Sequence, residues 1–253
     1  MDRVERVINI LNYLASSGKP CGVTEIGKRL KLDKSSVSRV LSTLEKLKWA
    51  VKLPDSTYSL GDRPIEFGLS ILSRVDLRKV SQPYLIEMNN TTHETCGLSI
   101  RIGIEDIYLD QVESTFPIRH VLPLGTRGPL WSGATGKAML AYMDKGEVDE
   151  IIENLRKSGE VILASGKTLD VSELLEEIAD VRKLGFAVTS GERSTAATAV
   201  ASPIIDYNNK VIGCIGITGP LPRLSEEIAR GFGPPVKQAA QNISIKLGSS
   251  SRL

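Results

Sequence analysis

The sequence predicts an α+β protein in which a small, mostly helical unit precedes a larger mixed unit. The chain has 253 residues, which is more than one typical domain of ~100–200 residues. Its first sixty residues combine helix-period apolar spacing with a closing strand, turn and strand. Beyond them, helical and strand-like runs follow in mixed order, with two adjacent strand-like runs near the start. That order indicates an antiparallel or mixed sheet.

Composition excludes several protein classes. Apolar residues make up 41% and charged residues 25% of the chain, as in ordinary globular proteins. The most apolar run, residues 211–217, is interrupted by two glycines, which argues against a transmembrane segment. The charged start of the chain lacks the core of a signal peptide, so we expect a cytoplasmic protein. Three scattered cysteines without a CxxC pair indicate reduced thiols.

The near-neutral net charge of +2 is an average over two differently charged parts. Residues 1–64 contain 12 Lys/Arg against 7 Asp/Glu, a formal +5, and the remainder contains 20 against 23, a formal −3. This asymmetry predicts that only the N-terminal unit meets a polyanion.

The N-terminal unit has the element order of a winged helix-turn-helix. An amphipathic helix over 3–15 follows Asp2, which is a suitable N-cap, and a shorter helix begins at Thr24. Asp33 caps a third helix with one apolar stripe. Strands on either side of a turn at residues 54–56 then predict a small β-wing. In such folds the third helix enters the DNA major groove.

The polar face of the third helix is the candidate DNA-reading surface. Serine is a mediocre helix former, so a serine-rich face is better explained by short hydroxyl donors held close to another surface, with Arg39 reaching a guanine edge or a phosphate. The residues are Lys34, Ser35, Ser36, Ser38, Arg39, Ser42, Thr43 and Lys46, with Lys52 and Thr57 on the wing. A merely solvated face, or a winged helix that docks a protein, are the alternatives. The +5 charge disfavours the docking module.

The rest of the chain predicts a connector and a larger domain. We expect a winged helix over 1–63, a stiff linker helix over 64–80, a domain over 81–248 that is large enough to enclose a small cavity, and a disordered tail over 249–253. Within the larger domain, the residues 211–217 should form a central strand buried on both faces. Helices are expected over 82–92, 130–142, 148–155, 171–184, 225–229 and 236–247, and strands over 95–102, 105–112, 186–189, 199–205 and 210–218.

A glycine-rich segment, Gly128 to Gly136, leads into one of these helices. Its backbone N–H groups form a possible binding site for a small carboxylate at the helix N-terminus. Small residues there and on the later strands are suited to lining a cavity, or equally to close packing of a helix on a sheet. These residues are Ala134, Thr135, Ala199, Gly216 and Thr218.

The sequence offers little for catalysis or metal binding. Only two histidines occur, and His93 with Cys96 supplies two metal ligands where a site needs more. No serine-histidine-acid pattern can be argued from them. We therefore expect no enzyme, no metal and no cofactor.

Several motifs resemble the IclR family of bacterial transcriptional regulators. VTEIGKRLKLDKSSVSRVLSTLEKLKW and YSLG resemble its DNA-binding domain, while LPLGTRGPLWSGATGKAMLAY, VRKLGFAVTSGE and AVASPIIDYNNKVIGCIGITGP resemble its GAF-like effector-binding domain. The resemblance implies a regulator, more often a repressor, that binds a palindromic operator as a dimer or dimer of dimers. It also implies release or recruitment by a small carboxylate or aromatic effector.

The resemblance also implies site residues. Ser35, Ser36, Ser38 and Arg39 match the recognition helix, and residues 54–57 match the wing. Ala134, Thr135, Thr189, Glu192, Ala199, Gly216 and Thr218 match the effector pocket. This chain departs from the family where Thr189-Ser190-Gly191 replaces a frequent acidic pair and where Ala199 replaces a common cysteine, so the ligand is not transferable.

Two alternatives stay open. Glu192 either serves the effector pocket or forms a surface salt bridge with Arg193 or Arg182. The whole chain is either an effector-gated regulator or a metabolite-binding or catalytic domain whose winged helix docks a protein.

Overall fold

The N-terminal elements form three helices followed by a two-stranded hairpin and a fourth helix. The computed structural model describes residues 2–72 and 76–250. The chain divides into two compact units, Met1–Val75 and Asp76–Leu253. The elements of the first unit are α1 (Arg3–Ser16), α2 (Val23–Leu30), α3 (Lys34–Lys46), β1 (Ala50–Lys52), β2 (Tyr58–Leu60) and α4 (Arg63–Leu72).

Local capping explains where the helices of the first unit begin. Asp2 and Glu5 form a capping box at the start of α1. The Asp33 carboxylate accepts a hydrogen bond of 2.7 Å from the backbone N–H of Ser36 and so caps α3. The apolar stripes of the three helices meet in one core that includes Ile10, Ile26 and Leu41, each fully buried. The hairpin β1–β2 is antiparallel, as expected of a wing.

The second unit is an antiparallel sheet covered by helices. Its strand order is β5-β4-β3-β8-β7-β6, and every recorded pair in it is antiparallel. The elements are α5 (Asp76–Thr92), β3 (Thr95–Ile102), β4 (Glu105–Val112), β5 (Arg127–Pro129), α6 (Gly133–Ala141), α7 (Lys145–Lys157), α8 (Val171–Leu184), β6 (Ala187–Ser190), β7 (Ala197–Ile205), β8 (Val211–Pro220), α9 (Glu226–Gly231) and α10 (Gly233–Lys246).

The apolar strand β8 is central and almost entirely buried, as its composition predicts. Helix α6 packs on β7 and β8 and is itself buried along its whole length. Its core cluster joins Ala201 and Cys214 of the sheet to apolar residues of α7 and α8. Helices α5 and α10 pack on other parts of the sheet. The three-residue strand β5 was not predicted, because so short a run carries no readable period.

Two expectations concern the connections. The expected linker helix over 64–80 includes residues 73–75, which lie outside the described residues; α4 ends at Leu72 and α5 begins at Asp76. Leu77 and Leu85 of α5 are buried at helical spacing, and residues 76–80 group with the larger unit. In the expected tail, Ser249 is buried and its N–H donates to Ser244, while residues 251–253 lie outside the described residues. The exact domain limits otherwise stay predictions.

Within the described residues, no helix combines the length and the hydropathy that a membrane crossing requires.

Candidate functional site

The exposed face of α3 carries most of the residues predicted to read DNA. Lys34, Ser35, Ser38, Arg39, Ser42, Thr43 and Lys46 are all exposed. They lie opposite the stripe that contains Val37 and Leu41, which packs into the core. A basic helical face with short polar side chains is therefore available to a polyanion.

Ser36 is the exception, and its assignment to this face was wrong. It is 6% exposed, and its hydroxyl oxygen accepts a hydrogen bond of 3.3 Å from Arg6 Nη1 of α1. The cause is helical geometry, because Ser36 lies one and two turns before Val40 and Leu44 on the inner side. Ser36 thus ties α1 to α3.

The hydroxyl groups on α3 differ in whether they already donate a hydrogen bond within the protein. Ser35 donates to the Asp33 carboxylate at 2.6 Å, and Thr43 donates to the carbonyl oxygen of Arg39 at 3.0 Å. Those bonds from Ser35 and Ser36 hold the pKa of Asp33 well below its usual range. In the part of the chain that the structure describes, the side-chain hydroxyls of Ser38 and Ser42 have no hydrogen-bond partner within the protein. They lie one turn apart and are the hydroxyls best placed to donate to a ligand.

The wing and α1 complete the basic surface. Lys52 is exposed, with its ammonium 6.0 Å from the centre of the Tyr58 ring. Thr57 donates its N–H and hydroxyl to the Asp55 carboxylate at 3.0 and 2.6 Å, so it stabilises the turn of the wing. Arg3 and Arg6 line a groove between α1 and α3 that Arg39 also borders. Neither arginine was among the predicted DNA-binding residues, because that prediction rested on the polar face of α3 and the wing.

A cavity in the second unit brings the other predicted residues together. It has a volume of about 40 Å³ and lies where the N-terminus of α6 meets β7 and β8. Among the residues that line it are the predicted Ala134, Thr135, Thr189, Glu192, Ala199 and Thr218. The seventh predicted residue, Gly216, lines a void of about 10 Å³ that shares four lining residues with this cavity. We call the first the inner cavity.

Small residues at the inner cavity also serve packing. A Cβ at Gly216 would lie 2.5 Å from the carbonyl oxygen of Val200 and 2.9 Å from the Cβ of Ala201. Glycine is therefore required there by the close approach of β7 and β8. The two interpretations of these residues, cavity lining and close packing, both apply.

Glu192 caps α6 and pairs with a buried lysine. Its carboxylate accepts a hydrogen bond of 2.8 Å from the backbone N–H of Gly133 and one of 2.5 Å from Lys137 Nζ. Lys137 is 3% exposed, and its ammonium also contacts the Glu177 carboxylate at 2.5 Å. A salt bridge of Glu192 with Arg193 or Arg182 was therefore the wrong alternative. The N-terminus of α6, expected to receive a ligand carboxylate, here receives that of Glu192.

A second ion pair forms another wall of the inner cavity. The carboxylate of Asp106, which is fully buried on β4, accepts hydrogen bonds from both terminal nitrogens of Arg193 and from Thr135 Oγ1. Arg193 also donates to the carbonyl oxygen of Pro129 at 2.8 Å. These hydrogen bonds from three donors to one buried carboxylate fix the guanidinium in place.

Three glycines make room for this arginine. A Cβ at Gly128 would lie 2.5 Å from the Arg193 guanidinium carbon, one at Gly133 would lie 2.7 Å from its Nε, and one at Gly136 would lie 2.8 Å from its Nη2. The glycine-rich segment is thus a cradle for Arg193.

The remaining polar groups of the inner cavity are neutral. Burial raises the pKa of Tyr108 to about 12, with the Arg193 guanidinium acting in the opposite direction. Burial lowers the pKa of His120, whose Nδ1 lies 3.5 Å from Thr218 Oγ1. Both were missed by the pocket assignment. Tyr108 lies between the buried Asp106 and Asp110 at every second position of β4. This polar face is unusual for a core strand, and it was the one sequence feature that could have indicated Tyr108.

The second histidine makes an aromatic contact. The ring of His93 packs edge-on against Phe116, with ring centres 6.1 Å apart. Burial raises the pKa of the Cys96 thiol to about 12. Over residues 2–72 and 76–250 there is no group of three or more His, Cys, Asp or Glu residues arranged to hold a metal ion.

Comparison with family models decides the relationship. A model of the IclR helix-turn-helix domain matches residues 3–54, and a model of the bacterial transcriptional regulator IclR C-terminal domain matches residues 69–245. The chain belongs to the IclR family. It is a DNA-binding transcriptional regulator, and the resemblance of its motifs is confirmed.

IclR-family relatives cover nearly the whole chain. The regulator KipR of Bacillus subtilis is 31% identical over 89% of this chain and 89% of its own length. KdgR of Escherichia coli K12 is 30% identical over 98% of this chain and 94% of its own length. The repressor AllR of Escherichia coli K12 is 30% identical over 97% and 90%.

Solved IclR-family structures share the α+β fold. The Thermotoga maritima IclR is 27% identical, has a TM-score of 0.76, and the alignment covers 97% of this chain and 98% of that one. An IclR homolog of Microbacterium hydrocarbonoxydans, solved with 4-hydroxybenzoate, is 21% identical with a TM-score of 0.82 over 97% and 99%. The predicted fold class is confirmed.

Proposed function

We propose that this regulator is a repressor whose operator binding is controlled by a small effector held in the inner cavity. The observation that carries the proposal is the pairing, in one chain, of a basic helix face on α3 with a small cavity in the second unit that Tyr108, His120 and Thr218 border. Family membership favours this function over a catalytic domain with a docking module. AllR, a relative named as a repressor, favours repression.

The DNA-binding half of the proposal rests on Arg39 and its exposed neighbours. Arg39→Ala should cost about 1–3 kcal/mol of operator affinity if the side chain contacts a base. A matched control is Arg230→Ala, which removes one exposed arginine from the second unit. Fluorescence anisotropy with the intergenic DNA beside the gene measures both variants. Equal affinity of Arg39→Ala and wild type would remove Arg39 from the reading surface.

The site residues on α3 divide into base readers and phosphate contacts. Ser38, Arg39 and Ser42 form the proposed reading group, and Lys34, Lys46 and Lys52 the proposed phosphate contacts. Each lysine lost should flatten the dependence of affinity on salt, because phosphate contacts release counterions. A palindromic site read by one helix per chain requires at least a dimer, and a dimer of dimers is our working assembly. Sedimentation analysis with and without operator tests that assembly.

The effector half of the proposal rests on the chemistry of the inner cavity. Tyr108, His120, Thr135 and Thr218 present neutral hydrogen-bonding groups, and the space suits a metabolite of few non-hydrogen atoms. A small carboxylate or hydroxy acid, or a small aromatic acid such as the ligand of the Microbacterium homolog, fits that description. Screening such acids for release of the DNA complex tests it. No release by any compound that binds the protein would refute effector control.

A further inference from the structure

Glu192 lies where four features of the second unit meet. Its carboxylate caps α6 at Gly133 and contacts Lys137. Its side chain lines the inner cavity on one side. On the other side it lines an outer groove of about 260 Å³ between α8, β6 and α9. The residue therefore borders both the inner cavity and the outer groove.

The N-terminus of α6 depends on Glu192 for its cap. The N-cap residue Ser132 makes no side-chain hydrogen bond to the helix. A carboxylate from elsewhere in the chain takes that place, where free N–H groups and the helix dipole favour negative charge. A ligand carboxylate that enters the inner cavity and seeks the same N–H groups meets a like charge already bound.

Lys137 can hold the Glu192 carboxylate after that carboxylate has left Gly133. Its ammonium is buried, holds Glu192 Oε1 at 2.5 Å and itself lines the outer groove. Glu192 can therefore release Gly133 while keeping its ion pair. The outer groove supplies the space for that movement.

We propose that Glu192 is a built-in competitor for anionic effectors, which bind by displacing its carboxylate from the N–H of Gly133 and leaving it on Lys137. This inference rests on the proposed effector function of the inner cavity. It makes Glu192 a specificity-determining residue: a ligand with a carboxylate must win an exchange, and a neutral ligand leaves Glu192 in place.

The test compares Glu192→Gln with wild type in the full-length protein. Glutamine keeps the size of the side chain and removes the competing charge. The probes are formate and acetate, with formamide and acetamide as their neutral counterparts, measured by calorimetry. Glu176→Gln is the matched control, because it makes the same change at an exposed position of α8.

Glu192→Gln should bind formate and acetate about tenfold more tightly than wild type, since a like charge is removed from the site. The amides should bind equally to both proteins, and Glu176→Gln should behave as wild type. Unchanged or weaker carboxylate binding by Glu192→Gln would overturn the proposal, as would binding of neither acid by that variant. Operator release is not the readout here. If the affinities shift as expected and no acid releases DNA, effector control fails and the competitor role stands.

A second measurement does not depend on the variant. In wild type labelled with ¹⁵N, millimolar formate should shift the backbone amide resonances of Gly133 and Glu192 together, with one saturation curve. Equal concentrations of formamide and chloride are the controls. Resonances that stay fixed under formate, or that move equally under chloride, would overturn the exchange.

Discussion

Removing the buried carboxylate of Asp106 should destabilise the second unit by about 3–5 kcal/mol, the usual cost of breaking a buried ion pair from one side. Asp106 is 0% exposed and accepts two hydrogen bonds from Arg193 and one from Thr135. Alanine there leaves the guanidinium in its glycine cradle with no opposite charge beside it. The guanidinium is largely shielded from water, since the Arg193 side chain is 21% exposed.

Differential scanning calorimetry of the full chain measures the effect. For a unit of this size, each kcal/mol lowers Tm by roughly 2–4 °C, so Asp106→Ala should lower it by about 6–20 °C. Glu226→Ala is the control, because it removes an exposed i,i+4 ion pair with Arg230 on α9. Such a pair contributes about 0.3–0.5 kcal/mol. If Asp106→Ala shifted the transition no further than the control, the buried pair would not stabilise the unit.

Three further predictions concern packing, pH and the loop between β4 and β5. Gly136→Ala should destabilise the protein, because its Cβ would lie 2.7 Å from a backbone carbonyl oxygen. Gly146→Ala on α7 meets nothing within 4 Å and should stabilise the protein by about 0.5–1 kcal/mol. Urea unfolding measures both changes in the free energy of unfolding, and changes of the same sign would contradict the close packing around Gly136. Because burial lowers the pKa of His120, the unfolded chain takes up the imidazole proton at higher pH than the folded chain does. The stability of the folded state should therefore fall as the pH drops through about 6.5, and it should fall less in His120→Gln. Parallel curves of Tm against pH for the two proteins would contradict this. Arg223 pairs with the buried Glu94 and donates a hydrogen bond of 2.9 Å to the carbonyl oxygen of Ile118, in the loop between β4 and β5. Arg223→Ala should therefore speed amide hydrogen exchange in that loop while the sheet stays protected. An unchanged exchange rate in the loop would contradict this prediction.

The spacing of apolar residues in the sequence was sufficient to predict most of the DNA-binding unit. The apolar stripe of α3 placed seven of eight polar residues on the exposed face, because burial of one stripe determines the rotation of a helix. It failed at Ser36, which was grouped with other polar residues by type. Its spacing to Val40 and Leu44 indicated the inner side, and hydrophilic character alone does not exclude burial when Arg6 supplies a partner.

The candidate effector site shows the limit of local patterns. The family resemblance supplied seven residues that lie at the inner cavity or its adjoining void, and their role in effector binding stays a prediction. It did not locate the charge pairs, because Asp106 and Arg193 are 87 residues apart in sequence and meet only through the order of strands. The same holds for Lys137 and Glu192, which are 55 residues apart.

These pairs change what the cavity can recognise. Arg193 is balanced by Asp106, and Lys137 by Glu192, so neither cation is free to receive a ligand carboxylate. Tyr108 and His120 are both held in their neutral forms by burial. In our proposal a neutral ligand therefore gains hydrogen bonds without disturbing any charge. In our proposal an anionic ligand gains the backbone N–H of Gly133 only by exchange, while Glu192 stays on Lys137 and shifts toward the outer groove. Where the family often carries an acidic pair, this chain has Thr189-Ser190-Gly191, so in our proposal selection among acids falls to the Glu192 carboxylate at the N-terminus of α6.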